Sequence, residues 1–228
     1  MGHGILYVVA TPIGNLKDIT LRAIDVLNHV DYVVAENRER ARNLLAHLTI
    51  RKKIISINSY NEERKAKGIV DYLLMGYTCA LISSAGTPCI SDPGTAIIRK
   101  ACEASIDVRA VPGPSAASAA LSISGIYADR FLFYGFLPQK GSKKRKILRE
   151  LAQIPYPVVF FESPRRLVET LQCMHSELGN RKAVVCKEMT KIYEEIFRDN
   201  LQSLISRFES TAVRGEYTII VDSREALS

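Results

Sequence analysis

Four ionisable side chains stand where apolar runs give way to polar loops: Asp92 in "SSAGTPCISDPG" (83–94), Glu162 in "FFES", and Glu188 and Lys191 in "KEMTK". A carboxylate in such a place can accept a proton from a hydroxyl as that hydroxyl attacks. A lysine can do the same when it is desolvated or beside another cation. The residue types leave the choice among the four open. Each also has a structural use: Asp92 as a helix N-cap or turn residue, Glu162 and Glu188 as partners of nearby arginines.

The surroundings of these groups are unusual in glycine and proline. Six of the nine prolines fall in four loops, "ATPIGN" (10–15), "SSAGTPCISDPG" (83–94), "VPGPSAAS" (111–118) and "ESPRR" (162–166). Glycine lets backbone approach a ligand closely, and proline lowers the cost of holding a loop ready. Four such loops predict the walls of one preorganised cleft rather than four unrelated turns. The first loop carries no G-x-G-x-x-G, and no G-x-x-x-x-G-K-[ST] occurs. A ligand without phosphate, held by backbone and small side chains, fits better than a nucleotide gripped by a phosphate cradle.

The elements that position these loops follow from the hydrophobic pattern. Short apolar runs at 5–10, 31–36, 53–57, 78–83 and 107–111 alternate with helical patterns. Continuous apolar strands separated by helices predict a largely parallel sheet covered on both faces. In such a sheet ligands bind outside the carboxyl ends of the strands, where all four loops lie. After "PGPSAASAALSISG" (112–125) the texture changes. "RFLFYGFLP", "PVVFFES", "KAVVCKEMT", "YEEIFRD" and "EYTIIVD" read as strands, with 183–189 and 192–198 as hairpin-like neighbours, so a mixed or antiparallel sheet is expected there. "KGSKKRKILRELAQ" reads as a basic loop running into a helix. The boundary lies near 112–125, giving domains 1–114 and 115–228.

Bulk composition narrows the class. No run reaches about 18 apolar residues, so no membrane span is expected. The N-terminal segment does not read as a signal peptide, and Leu6 stands where myristoylation needs Ser or Thr. Five scattered cysteines without a C-x-x-C read as reduced thiols in a cytoplasmic protein. His3, His29, His47 and His175 form no ligand spacing, so no metal is expected. The net charge of +7 and pI near 9.2 favour a polyanionic partner.

"YVVATPIGNLKDITLRAIDVL", "LISSAGTPCISDPG", "VPGPSAASAALSISG", "FLFYGFLP", "FFESPRRL", "KEMTKIYEEI" and "RGEYTIIV" together resemble the tetrapyrrole-methylase superfamily. More closely they resemble its small-subunit rRNA (cytidine-2'-O-)-methyltransferase I family, in order along essentially the whole chain. The resemblance implies a tetrapyrrole-methylase-like α/β fold of two domains, with a mostly parallel N-terminal sheet, a mixed C-terminal sheet and a ligand cleft between them. It implies S-adenosylmethionine as methyl donor, a cytidine ribose 2'-hydroxyl of small-subunit rRNA as acceptor, and a homodimer. For the donor it suggests Pro12 and Ile13 in the first loop and Ala85, Gly86, Thr87 and Ile90 in the second. Ser115 and Ala116 follow the "VPGP" turn, and Phe161 and Met189 close the pocket from the second domain. Two positions depart from the family's usual "AEDTR" and "SDAGTP": Asn37 and Ser84.

Cations for rRNA or the small subunit are expected at Lys140, Lys143, Lys144, Arg145 and Lys146, with 140–144 a loop that orders on RNA, and at Arg165 and Arg166. Two other readings stand beside this one. The chain could methylate another RNA or a tetrapyrrole-like small molecule, or keep the fold as a non-catalytic RNA-binding relative.

Overall fold

The computed structural model describes residues 2–223. The chain forms two compact units, Met1–Ser115 and Ala116–Ser228.

The first unit holds five strands, β1 (Ile5–Val9), β2 (Tyr32–Ala35), β3 (Lys53–Ser56), β4 (Cys79–Ile82) and β5 (Asp107–Val111). They lie in the order β3-β2-β4-β1-β5, every neighbouring pair parallel. The apolar runs are continuous because both faces are covered. Helices α1 (Leu21–His29) and α2 (Arg38–His47) press Leu27, Leu44 and Leu45 onto Val33, Ala35, Ala80 and Ile82. On the other face α3 (Glu62–Leu74) and α4 (Thr95–Glu103) bring Ile69, Leu73 and Ile97 against Leu6, Val34, Cys79 and Leu81. Alternate residues of one strand thus serve opposite cores, as strand geometry requires.

This winding decides where a ligand can go. The chain leaves β1 and β2 toward one face and leaves β3 and β4 toward the other. Strand β4 lies between β2 and β1. The loop after β4 therefore borders a topological switch point on each side, the place where open α/β sheets bind ligands.

The second unit carries β6 (Leu132–Phe136), β7 (Val158–Glu162), β8 (Lys182–Lys187), β9 (Glu195–Asn200) and β10 (Tyr217–Val221) in the order β6-β7-β10-β8-β9. Only β6 and β7 run parallel; the other pairs are antiparallel. Helices α6 (Gly141–Leu151), α7 (Leu167–Leu178) and α8 (Leu201–Glu209) share one core with the sheet through Leu148, Leu171, Leu204 and Phe208. Helix α5 (Ala116–Ser124) packs against β10. The helices α7 and α8 go beyond the sequence reading. The hairpin-like pair is β8 and β9, and residues 188–194 form the turn between them.

One sequence expectation is overturned here. Residues 141–151 are helix, not a loop that waits for RNA to order it. Lys144, Leu148 and Leu151 stand at i, i+4 and i+7 and all point inward, which is the spacing of a core-facing stripe. Burial of that stripe fixes the segment.

Each unit also holds a buried thiol in an interior strand. Burial pushes Cys79 in β4 up to about 12 and Cys186 in β8 up to about 11. Cys102 on α4 is exposed.

Candidate functional site

In the first unit the loops after β1, β4 and β5 are tied to one another. Thr11 and Gly86 pair by two backbone bonds, N–H to O at 2.9 Å and 3.0 Å, which carries sheet-like pairing past the strand ends. The Thr11 hydroxyl donates to the Ser83 carbonyl at 3.3 Å, and the Ser83 hydroxyl donates to the Gly86 carbonyl at 2.9 Å. The Thr87 hydroxyl reaches the Pro114 carbonyl at 3.2 Å. At the far end of the loop, the Gly94 amide donates to the Glu62 carboxylate at the start of α3, at 2.5 Å. Thr11, Ser83 and Glu62 were not anticipated. Their signal is weak in sequence, because each acts on backbone of a distant loop.

The loop after β4 is held in a sparsely populated conformation. Gly86 has φ +79°, and the non-glycine residues Cys89 and Ser91 both have φ +66°. Such residues cost of order 1–3 kcal/mol each and persist only where surroundings over-determine them. The anchors just named are those surroundings. A Cβ at Gly86 would stand 3.3 Å from Ile13 Cγ2 and 3.6 Å from the Pro114 carbonyl oxygen. The predicted residues Pro12, Ile13, Ala85, Gly86, Thr87 and Ser115 thus belong to linked loops at one edge of the sheet. Ile90 is 46% exposed, so it is not the core residue its type suggests.

Asp92 is half-buried in the same loop. Burial and then the Glu36 carboxylate raise its pKa from the ordinary 3.8 to about 6. Glu36 directly follows β2, so the pair faces the switch point between β2 and β4. Next to it, Asn37 caps α2: its side-chain oxygen accepts from the Glu39 and Arg40 amides, each at 3.0 Å. Asn and Asp serve equally at an N-cap, so the departure at Asn37 keeps the helix start intact. A raised carboxyl pKa penalises the charged form in the folded state. The penalty is absent below about pH 4, grows through pH 6 and is complete above it. Asp92→Asn removes it. The variant is expected to gain thermal stability over the parent at pH 7 and none at pH 4, which melting curves at the two pH values will read.

In the second unit the candidate groups fall into two networks. Glu188 and Thr190 are left-handed, with φ +49° and +65°. The Lys191 ammonium donates to Glu188 and Glu216, each at 2.8 Å, and the Glu216 amide donates to the same Glu188 oxygen at 2.8 Å. Burial pulls the Lys191 pKa down, but its two carboxylate partners outweigh that and leave it raised. Burial alone would raise Glu188, yet the bonds from Lys191 and the Glu216 amide leave it lowered. Lys191 therefore stands beside two carboxylates rather than a second cation, and the ground for treating it as a neutral base is corrected. The motifs "KEMTK" and "RGEY" interlock here. A Cβ at Gly215, φ +94°, would lie 2.5 Å from Glu188 Cγ and 2.8 Å from its Cδ. Gly215→Ala is expected to destabilise the protein by about 2–3 kcal/mol, left-handed strain plus displacement of the Glu188 side chain. Denaturant unfolding will measure it.

The other network binds Glu162. Its Oε2 accepts from the Thr170 hydroxyl at 2.6 Å and lies 3.3 Å from Arg166 Nη2; its Oε1 accepts from the Ser163 amide at 2.7 Å. Arg166 also donates to the Leu137 carbonyl at 2.7 Å, which links "ESPRR" to "FYGFLP". The Lys144 ammonium donates to Glu169 at 2.9 Å and to Thr170 at 3.3 Å, with none of its side chain exposed. Lys144 is therefore corrected from an RNA contact to a core cation, and Arg166 is engaged within the fold. Lys140, Lys143, Arg145, Lys146 and Arg165 are exposed. Phe161 packs edge-on against Phe133 and Phe136, Met189 is buried, and Ala116 opens α5.

Residues 5–205 match the family model described as Tetrapyrrole (Corrin/Porphyrin) Methylases. Three similar proteins carry the name "Ribosomal RNA small subunit methyltransferase I". That of Halalkalibacterium halodurans is 41% identical over 96% of this chain and 76% of its own length. That of Thermotoga maritima is 40% identical over 97% and 100%, and that of Vibrio cholerae 43% over 96% and 77%. Among solved structures, diphthine synthase superposes with a TM-score of 0.74 at 14% identity over 96% of this chain and 89% of its own. The methyltransferase CobJ gives 0.73 at 16% over 98% and 97%. These two likenesses concern the fold.

Proposed function

The chain belongs to the tetrapyrrole (corrin/porphyrin) methylase family, in its ribosomal RNA small subunit methyltransferase I branch, and from that premise we propose that it methylates RNA of the small ribosomal subunit. The observation that carries the reading is identity of 40–43% over 96–97% of the chain to relatives of that name. We propose further that the donor is S-adenosylmethionine, that the acceptor is a cytidine ribose 2'-hydroxyl, and that the protein works as a cytoplasmic homodimer. Among the described residues no helix is long and apolar enough to cross a membrane.

The first-unit loops suit such a donor. Residues 10–15, 83–94 and 112–115 contain no Lys or Arg, and they offer carbonyls, amides and small side chains. That set accepts a positively charged ligand without phosphate and would repel none of its charge. When bound, the donor supplies an electrophilic methyl group. Pro12, Ile13, Ala85, Gly86 and Thr87 would hold it, with Ser115 beside them, and Ile90 on the exposed rim. The family resemblance also names Ala116, Phe161 and Met189 for the donor.

The protein's remaining task is to receive a proton from the ribose hydroxyl. Asp92 has an acidity suited to that task, a carboxyl near 6 that is ionised at neutral pH yet more basic than a free aspartate. Glu162 is enclosed in its network, and Glu188 and Lys191 hold each other charged. The exposed cations Lys140, Lys143, Arg145, Lys146 and Arg165 support RNA contact. Lys140 and Lys143 stand at the start of α6, where a helix dipole disfavours positive charge by about 0.3–1 kcal/mol each. A sequence that keeps cations there gains from an anion that joins them.

The test is methyl transfer from labelled S-adenosylmethionine to purified small subunits, followed by mapping of the modified nucleotide. Label on a ribose of small-subunit RNA supports the reading. Label found only on a small molecule, or none with donor binding intact, overturns it.

A further inference from the structure

A groove of about 810 Å³ lies at the β3 edge of the first unit, and no residue of the loops at 10–15, 83–94 and 112–115 lines it. Arg38, Arg42, Arg51, Lys52, Lys53 and Tyr32 line it, and no Asp or Glu among the described residues does. Arg38, Arg42, Arg51 and Lys53 are exposed, and among the described residues none of the four forms an ion pair. Elsewhere in this unit arginines do find carboxylates, as Arg109 does with Asp107 at 2.6 Å.

The fold builds this concentration of charge. Ala41, Leu44 and Leu45 face the core, which leaves Arg38 and Arg42, one helical turn apart, on the outer flank of α2. The helix ends in a tight reversal: Thr49 has φ +59°, and the Ile50 amide donates to the Leu45 carbonyl at 2.8 Å. That turn delivers Arg51, Lys52 and Lys53 straight back beside α2. Lys52 is fixed there by the carbonyls of Asn28 and Val30, at 2.7 and 2.6 Å. Tyr32 stacks on Tyr72 with ring centroids 4.9 Å apart, so the floor is rigid. Strand β3 is the outermost of its sheet, so no further strand of that sheet pairs with its outer edge.

We propose that this groove is a second RNA-binding surface, which grips the phosphate backbone of the small-subunit RNA outside the segment that enters the methyl-transfer site. The proposal rests on the reading of the protein as an rRNA methyltransferase. Cations on two adjoining elements, outside any ion pair among the described residues and with no carboxylate in the groove lining, match a row of phosphates and read no sequence. Its role is to hold and orient the subunit while the strand-end loops act.

The experiment uses the whole chain and the triple variant Arg42→Glu, Arg51→Glu, Lys53→Glu, leaving Lys52 to close α1. Binding of a labelled stem-loop RNA is measured by fluorescence anisotropy across a salt series, and methylation of small subunits is measured in parallel. The variant is expected to bind RNA at least about 10-fold more weakly near 0.1 M salt, with a salt slope reduced by about 2–3. If charge reversal lowers the melting temperature, the Gln variants at the same positions are read instead, with a smaller change in the same direction. Unchanged affinity and slope overturn the proposal while methylation by the parent leaves the enzyme reading standing. Absence of methylation with the slope change present overturns the enzyme reading and leaves the surface. Tighter binding of labelled polyglutamate than of RNA would assign the groove to an acidic protein face and overturn it.

Discussion

Gly86→Arg is expected to abolish methyl transfer while the two cores stay folded. Position 86 is left-handed at φ +79°, so any side chain adds about 1–2 kcal/mol of backbone strain. That strain falls on the residue whose amide and carbonyl pair with Thr11 and join the first two loops. Its Cβ would also press on Ile13 and the Pro114 carbonyl, and the rest of an arginine must then pass through the proposed donor site. It would carry a positive charge into loops that hold none. Donor affinity should fall at least about 100-fold, equivalent to roughly 2.7 kcal/mol. Calorimetric titration of parent and variant with S-adenosylmethionine decides the matter. Gly86→Ala, which keeps the strain and loses the bulk and charge, should fall between them. Parent-like binding by the arginine variant would remove the donor from these loops.

Lys144→Ala should give the second large effect, on stability and not on RNA. The side chain is wholly buried and sits in the core-facing stripe of α6. Truncation leaves a cavity beside Leu148 and strips Thr170 and Glu169 of a donor, a loss of about 2–5 kcal/mol. Lys144→Met keeps the volume and should recover the cavity part of that loss: Glu169, with 60% of its side chain exposed, stays solvated without its partner, while Thr170 still lacks a donor. Denaturant unfolding of the three proteins measures both steps. Lys144→Met should bind RNA as the parent does, whereas Lys143→Ala, one residue earlier and exposed, should weaken binding. Equal loss of RNA affinity from both variants would show that Lys144 reaches the surface.

The contrast between Lys143 and Lys144 shows what the sequence discloses and what it conceals. "KGSKKRK" reads as a basic run, and its charge hides the i, i+4, i+7 stripe that Lys144 shares with Leu148 and Leu151. The five parallel strands of the first unit were legible, since strands buried on both faces lose their polar alternation and become plain apolar runs. The loop at 83–94 was legible from its glycines and prolines. Its anchors were not: Thr11 and Glu62 act across 75 and 32 positions through backbone partners, and no local pattern marks that. Helix α8 could have been read, because Leu201, Leu204, Ile205 and Phe208 keep clean helical spacing. The Glu188–Lys191–Glu216 cluster was half legible. "KEMTK" drew notice for its charges, but the need for glycine at 215 appears only when the two strands are side by side.

The buried thiols give each half of the molecule its own reporter of opening. A thiol reacts as its thiolate, and burial keeps Cys79 and Cys186 protonated far above neutral pH. Cys79 sits in the central strand of the first sheet and Cys186 within the second, so neither meets a reagent until its own sheet parts. Cys102 reacts in the folded state and supplies the internal standard. Alkylation timed residue by residue thus yields separate opening rates for the half that would hold the donor and the half that carries the α6 cations, from the native chain and without an engineered label.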